Sequence, residues 1–253
     1  MKYLRFSLSE PCRFWVQVEG RASRCMLDGS VPICCGCWCE ELGSGLYVVA
    51  CDKLKEVARG LPYAVQTGFD DVDLTLRGGL APPVHVALLG DSRGAELVLK
   101  CLLIDALGKG YMCVQMVLGE PRVPVDAGEG FLLGDLGSFY DVNFNVHLQV
   151  EEVARLERSS LERGFQGLLV VFDNSSYLRS RRHAVRPFLF EERMEKTKLR
   201  RTICICMYDG GAVSELNRHL IMENHSLVLH VDEPLKIKVL KTKWPSRTLS
   251  VTQ

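Results

Sequence analysis

Residues 90 to 97 read Gly90, Asp91, Ser92, Arg93, Gly94, Ala95, Glu96, Leu97, between the apolar run "PPVHVALLG" and the apolar "AELVLKCLLIDALGKG". A buried strand, a short polar loop and a long helix form the setting of the phosphate-binding pattern G-x-x-x-x-G-K-[ST]. In that pattern backbone N–H groups at a helix start attract anions, a lysine adds a positive charge, and a hydroxyl holds Mg²⁺. Gly90 matches the first glycine. Ala95, Glu96 and Leu97 stand where the second glycine, the lysine and the hydroxyl residue belong.

The substitution at the lysine position reverses a charge. At ~4 Å and an effective dielectric near 20, one unit-charge contact is worth about 4 kcal/mol. Exchanging an attraction for a repulsion takes micromolar nucleotide binding to nothing measurable. Leu97 removes the metal ligand as well. Three roles for Glu96 follow. It pairs with Lys100 at i,i+4, worth ~0.2–0.5 kcal/mol, and suits the helix dipole in a first turn. As an alternative it plugs the loop as a phosphate mimic, or the loop takes a different, cationic ligand.

Other residues could carry chemistry. Asp173 ends the apolar run "GLLVVF" and precedes Asn174, Ser175 and Ser176. It is either a magnesium-holding carboxylate or the cap of the next turn. The N-terminal region crowds Cys34, Cys35, Cys37 and Cys39 together, with Cys12, Cys25 and Cys51 nearby, out of 11 cysteines in all. Cys34 and Cys37 have C-x-x-C spacing, but structural zinc takes two cleanly spaced pairs, so no zinc is expected there. Segment 178–201 carries nine Lys/Arg against three Glu, including Arg179, Arg181, Arg182, Arg186, Lys198, Arg200 and Arg201. Such an excess tracks nucleic-acid phosphates or forms a solvated helix flank. Phe188, Leu189 and Phe190 within it read as core. The histidines at 85, 147, 183, 219, 225 and 230 lack metal-type spacing and read as structural, so no metal site is expected.

The elements that position these residues alternate. "YMCVQMVLG", "FQGLLVVFDNSS" and "TICICMYD" are buried strands, and "SLVLHVD" and "LKIKVLKTKW" close the chain as strands. "QVEEVARLERSSLERG" is an amphipathic helix with Val150, Val153, Leu156 and Leu161 on one side, and "AVSELNRHLIMEN" is another helix. Residues 120 to 145 read as Gly-rich and irregular. Alternating strand and helix predict a mostly parallel sheet covered on both faces. Residues 1–55 read as a small Cys-rich β extension, or edge strands of the main sheet, before a domain at 56–253.

Lys+Arg and Asp+Glu are both 31, so bulk charge gives no pull toward nucleic acid or membrane. No run approaches ~18 apolar residues, and the N-terminus lacks a signal-peptide core. The expectation is a cytoplasmic protein with no membrane partner.

The order "TGFDDVDLTLRGGL", strand, "GDSRGAEL", helix, "MCVQMVLGE", "LLVVFDNSS", "TICICMYD", "SLVLHVD" resembles the RecA-like ATPases, and within them the KaiC-like branch, over roughly residues 60 to 250. Thr67, Gly68, Asp73, Gly78 and Gly79 match that branch's leading stretch. The resemblance implies an α/β, RecA-like fold with a P-loop at 90–97 and a Walker B aspartate at Asp173. It also implies a catalytic glutamate near Glu120. Lys241 and Lys243 match residues that reach a neighbouring subunit's nucleotide, although lysine replaces an arginine and loses its bidentate fork. The expected function is a catalytically degenerate regulatory or assembly module, self-associating or bound to a RecA/KaiC-like paralogue, with no cofactor and with ATP/Mg disfavoured. The alternatives are a recombination or DNA-repair paralogue binding single-stranded DNA, and an ATPase with an atypical P-loop.

Overall fold

A computed structural model of the protein describes residues 3–7, 15–16, 24–25, 39–41, 46–50, 64–69, 72–73, 76, 78–90, 92–121, 123, 130–141, 145–180, 185–197, 199–211, 213–232, 236–241 and 251–252. The chain forms two compact units. One comprises Met1–Pro62, Phe69–Gly79 and Trp244–Gln253, the other Tyr63–Gly68 and Leu80–Lys243. The smaller unit thus extends past the single break expected near residue 55. The C-terminus returns to it because β13 (Val251–Thr252) pairs antiparallel with β1 (Tyr3–Ser7).

In the smaller unit a sheet runs β13-β1-β5-β4, with β4 at Cys39–Glu41 and β5 at Leu46–Ala50. Strands β2 (Trp15–Val16) and β3 (Arg24–Cys25) pair separately. Cys12, Cys34, Cys35, Cys37 and Cys51, and with them the proposed C-x-x-C pair, lie outside the described residues.

The larger unit runs β6 (Val84–Gly90), α1 (Ser92–Gly108), β7 (Met112–Val117), β8 (Phe131–Asp135), α2 (Leu136–Asp141), α3 (Val146–Glu162), β9 (Leu168–Phe172), α4 (Asn174–Ser180), α5 (Arg186–Lys196), β10 (Thr202–Asp209), α6 (Glu215–Asn224), β11 (Leu227–Asp232) and β12 (Lys236–Lys241). Its seven strands lie in the order β12-β11-β6-β10-β9-β7-β8. All neighbours are parallel except β12, which pairs antiparallel with β11. Strands β7 and β9 are buried along their whole length, as continuous apolar runs in a two-sided sheet must be.

Helix α1 covers one face with Val98, Leu99, Leu102, Leu103 and Ala106, all fully buried. The opposite face carries Ala87, Leu89, Val114, Val170, Cys204, Cys206 and Val228, packed under α2 to α6 through Phe139, Tyr140, Val153, Phe190 and Ile221. Phe139, Tyr140, Phe172 and Phe190 form an aromatic nucleus there, with ring centroids 4.9–6.3 Å apart. Asn145 caps α3 by accepting from His147 N–H, and Ser214 caps α6 by accepting from Asn217 N–H.

Three local expectations are corrected. The stretch 120–145 contains β8 and α2; β8 is an exposed edge strand, so its sequence lacks a buried-strand signature. On α3, Leu161 is 42% exposed while Gln149 and Ser160 are buried. Leu189 is likewise exposed between the buried Phe188 and Phe190. Among the described residues no helix is long and apolar enough to cross a membrane.

Candidate functional site

Most of the segment expected as a phosphate loop is helical. Strand β6 ends at Gly90 and α1 begins at Ser92, so only position 91 separates them. Ser92 through Leu97 are helical. A phosphate cradle adds several successive N–H groups of a turn, aimed at one point, to the free N–H groups of the helix start. Helical geometry instead aims each N–H beyond the first turn at the carbonyl four residues back. Ala95 is buried in the α1 core and Leu97 is 44% exposed, so the second-glycine and hydroxyl positions point in different directions.

The glycine at position 90 has its own structural cause. Its φ is 131°, and a Cβ there would stand 2.1 Å from the Val231 carbonyl oxygen. Gly210 N–H donates to the Gly90 carbonyl at 3.1 Å from the other side. Gly90 is required by the close approach of β10 and β11.

The carboxyl ends of the parallel strands form the edge where ligands of open α/β sheets bind. Here that edge is acidic. Asp173 follows β9, is buried, and accepts from Ser176 N–H at 3.3 Å and Ser176 Oγ–H at 2.6 Å, which caps α4. Asp209 at the end of β10 lies 3.6 Å from Arg179 and accepts from Gly211 N–H. Asp232 at the end of β11 pairs with Lys238 at 2.5 Å, which holds its carboxyl below the usual range. Glu120 is exposed beyond β7. Strand β10 stands between the strands of Gly90 and Asp173.

Of the candidate outward-reaching cations, Lys241 and Arg186 hydrogen-bond within the chain. Lys241 Nζ donates to the Met222 and Glu223 carbonyls at 2.5 and 3.2 Å, closing the C-terminal end of α6. Arg186 donates to Tyr140 O and Asp141 Oδ1 at 2.9 and 2.8 Å. Arg200 and Arg201 are exposed. Arg181, Arg182, Lys198 and Lys243, like Asp91, lie outside the described residues. Among the described residues the segment carries the end of α4 and all of α5, with Arg179 on the first and Arg186 on the second. Lys109 is also engaged, donating to Ala64 O at 2.5 Å and Asp105 at 2.7 Å, while Asp105 accepts from Gln66 N–H at 2.7 Å.

A buried polar cluster occupies the face under α5 and α6. His85 on β6, Cys206 on β10 and His225 just after α6 bring one ligand atom each within 4.8 Å of one another, all buried. His85 Nε2 and Cys206 Sγ are 3.5 Å apart, and the two imidazole centroids are 4.3 Å apart. His225 Nδ1 faces the Ile221 carbonyl at 2.9 Å, so it carries the proton and leaves Nε2 as an acceptor. Glu191 on α5 is fully buried; its Oε1 accepts from Asn174 Nδ2 at 2.7 Å and from Tyr208 O–H. Among the described residues, His85 Nδ1, Glu191 Oε2 and His225 Nε2 have no hydrogen-bond partner. Each such orphan costs about 1–3 kcal/mol.

Burial sets the protonation of this cluster. It draws His225 down to about 4 and His85 well below its ordinary value, so both rings are neutral. It pushes the Glu191 carboxyl and the Cys206 thiol well up. His85 and His225, which lack metal-type spacing in the sequence, are thus brought together with Cys206 by the fold. Parallel register decides this: His85 lies opposite Cys204, which brings Cys206 two residues along on the same face. The only hint in sequence is that His85 and Cys206 interrupt apolar strands.

No protein-family model matches the sequence, and no curated protein matches it. Solved structures do match the fold. A KaiC-like protein from the hyperthermophilic archaeon Pyrococcus horikoshii OT3 aligns at TM-score 0.51 and 13% identity, over 74% of this chain and 92% of that one. An uncharacterized protein from Pyrococcus horikoshii, in complex with an unknown peptide, aligns at TM-score 0.53 and 12% identity, over 75% and 100%. The flagellar accessory protein FlaH from Methanocaldococcus jannaschii aligns at TM-score 0.48 and 14% identity, over 76% and 99%. The chain has the RecA-like α/β fold of the KaiC type.

Proposed function

We propose that this chain is a RecA-like module without nucleotide chemistry, which acts in regulation or assembly by contact with a second RecA-like chain or with copies of itself. The observation that carries the reading is the junction at Gly90, where strand passes to helix with one intervening residue. A triphosphate has no loop to wrap it, and the surrounding strand ends offer Asp173, Asp209 and Asp232 where phosphates need cations. Contact surfaces are available. Leu97 and Ile104, seven residues apart on α1, are 44% and 56% exposed, and Leu132 and Leu133 are exposed on the edge strand β8. The DNA-binding alternative draws less on Arg186, which is paired with Asp141 at 2.8 Å.

Calorimetry with millimolar Mg-ATP, together with phosphate release, tests the first half. No binding and no turnover are expected; micromolar binding, or turnover that vanishes in Asp173→Ala, overturns it. Light scattering over a concentration series, with capture from native extract, tests the second. Self-association or retention of a RecA-like chain supports the reading. A monomer that retains none overturns it.

A further inference from the structure

We propose that His85, Cys206 and His225, joined by Glu191, form a buried binding site for a divalent transition-metal ion of the zinc class. The donors come from four elements: β6, β10, α5 and the residue after α6. An ion there would tie the middle of the sheet to the two helices that cover it.

Three donors are gathered closely enough to share one ion, and Glu191 adds a carboxylate beside His225. Metal–ligand bonds of 2.0–2.3 Å place tetrahedral donors roughly 3.3–3.8 Å apart. His85 Nε2 and Cys206 Sγ are 3.5 Å apart, and Glu191 Oε2 and His225 Nε2 are 3.9 Å apart. The three principal ligand atoms lie within 4.8 Å, so the widest pair closes by about 1 Å on binding. Mixed imidazole, thiolate and carboxylate donors suit zinc and its neighbours and not calcium or magnesium.

The unpaired atoms point the same way. His225 Nε2 and Glu191 Oε2 lie 3.9 Å apart, neither has a hydrogen-bond partner of good geometry among the described residues, and the Cys206 thiol approaches Glu191 as well. His225 Nε2 is an acceptor, and the Glu191 carboxyl becomes one once it gives up its proton, so a cation between them satisfies both. The other atoms of both groups are already held, His225 Nδ1 by Ile221 O and Glu191 Oε1 by Asn174 and Tyr208. Such outer contacts orient metal ligands. His85 Nδ1 likewise has a carboxylate 3.8 Å away, Glu195 Oε2, which itself accepts from Ser226 Oγ at 3.1 Å.

The charge closes. One divalent ion with two neutral imidazoles, one thiolate and one carboxylate sums to zero, the condition for burying ions at low dielectric. Binding forms the metal–sulfur bond as the Cys206 S–H loses its proton to solvent, and the Glu191 carboxyl releases its own in the same way. No electrons are transferred. Access exists: a cleft of about 610 Å³, lined by His85, Glu195, Cys204 and Ser226, opens beside the cluster.

The test uses the full chain, stripped with chelator and titrated with Co²⁺ and Zn²⁺. The N-terminal cysteines are controlled with Cys34→Ser/Cys37→Ser. The double variant is expected to bind one Co²⁺ per chain, with a sulfur-to-cobalt charge-transfer band, and zinc is expected to raise its Tm. Loss of even an outer-contact residue weakens metal sites 10–100-fold, so Cys206→Ala and His225→Gln should each lose at least about 100-fold. Should those variants fail to fold, zinc-edge absorption of the folded double variant decides. A shell with imidazole nitrogens and one sulfur supports the site; a shell of several sulfurs or of oxygens alone overturns it. So does the absence of equimolar binding in the double variant, or unchanged affinity in Cys206→Ala.

Discussion

The Gly90 Cα lies against the Val231 backbone so closely that a Cβ added to it would stand 2.1 Å from the Val231 carbonyl oxygen. The obstacle is main chain in a paired strand and cannot swing aside. The residue that most resembles a phosphate-loop signature is thus fixed by sheet packing.

Gly90→Ala should therefore destabilise by about 3–5 kcal/mol, combining a backbone clash with a φ that only glycine adopts easily. Gly108, the last residue of α1, has nothing within 4 Å of an added Cβ. Gly108→Ala should stabilise by about 0.5–1 kcal/mol through helix propensity. Urea unfolding of both proteins checks the contrast. Equal small effects would show that Gly90 is not held by Val231.

Restoring lysine and hydroxyl side chains should not restore a nucleotide site. Position 96 lies in the first turns of a helix that starts at Ser92, and Leu97 faces outward. Glu96→Lys/Leu97→Thr is expected to show no heat of binding with millimolar Mg-ATP. A micromolar Kd in that protein would mean that the strand–helix junction can open into a loop.

Asp173 acts as a cap for α4 through Ser176. Asp173→Ala should cost about 0.5–2 kcal/mol in thermal unfolding and Asp173→Asn less, since the amide oxygen still accepts. Neither change should alter phosphate release. A variant of unchanged stability would show that the cap contributes nothing.

Lys241 ties β12 to the end of α6 by donating to Met222 and Glu223 carbonyls. Lys241→Met should cost about 0.5–1.5 kcal/mol and leave the oligomeric state unchanged. If light scattering instead shows dissociation at full stability, the lysine serves a neighbouring subunit.

Cys113 is buried on β7, and that burial pushes its thiol up to about 12. Cys101 on α1 is only half-buried. The thiolate is the reactive form, so alkylation of native protein at pH 8 should reach Cys101 well before Cys113. Peptide mapping by mass spectrometry reads the order; equal rates would mean that β7 opens readily.

Sequence alone determined the alternation of β6, β7, β9, β10 and β11 with helices. Strands buried on both faces must be continuous apolar runs, and α3 and α6 carry their own caps at Asn145 and Ser214. It also put Glu96 and Leu97 where the phosphate-loop pattern has a lysine and a hydroxyl residue. Strand β8 escaped because an exposed edge needs no apolar pattern. The helix start at Ser92 escaped because residues 92–94 suit a turn or a helix start equally. The cluster of His85, Glu191, Cys206 and His225 lay furthest from reach. Its members are scattered over 140 residues, and only the parallel register of β6 with β10, together with the packing of α5 and α6 on that face, brings the donor atoms of His85, Cys206 and His225 within 4.8 Å and sets Glu191 3.9 Å from His225.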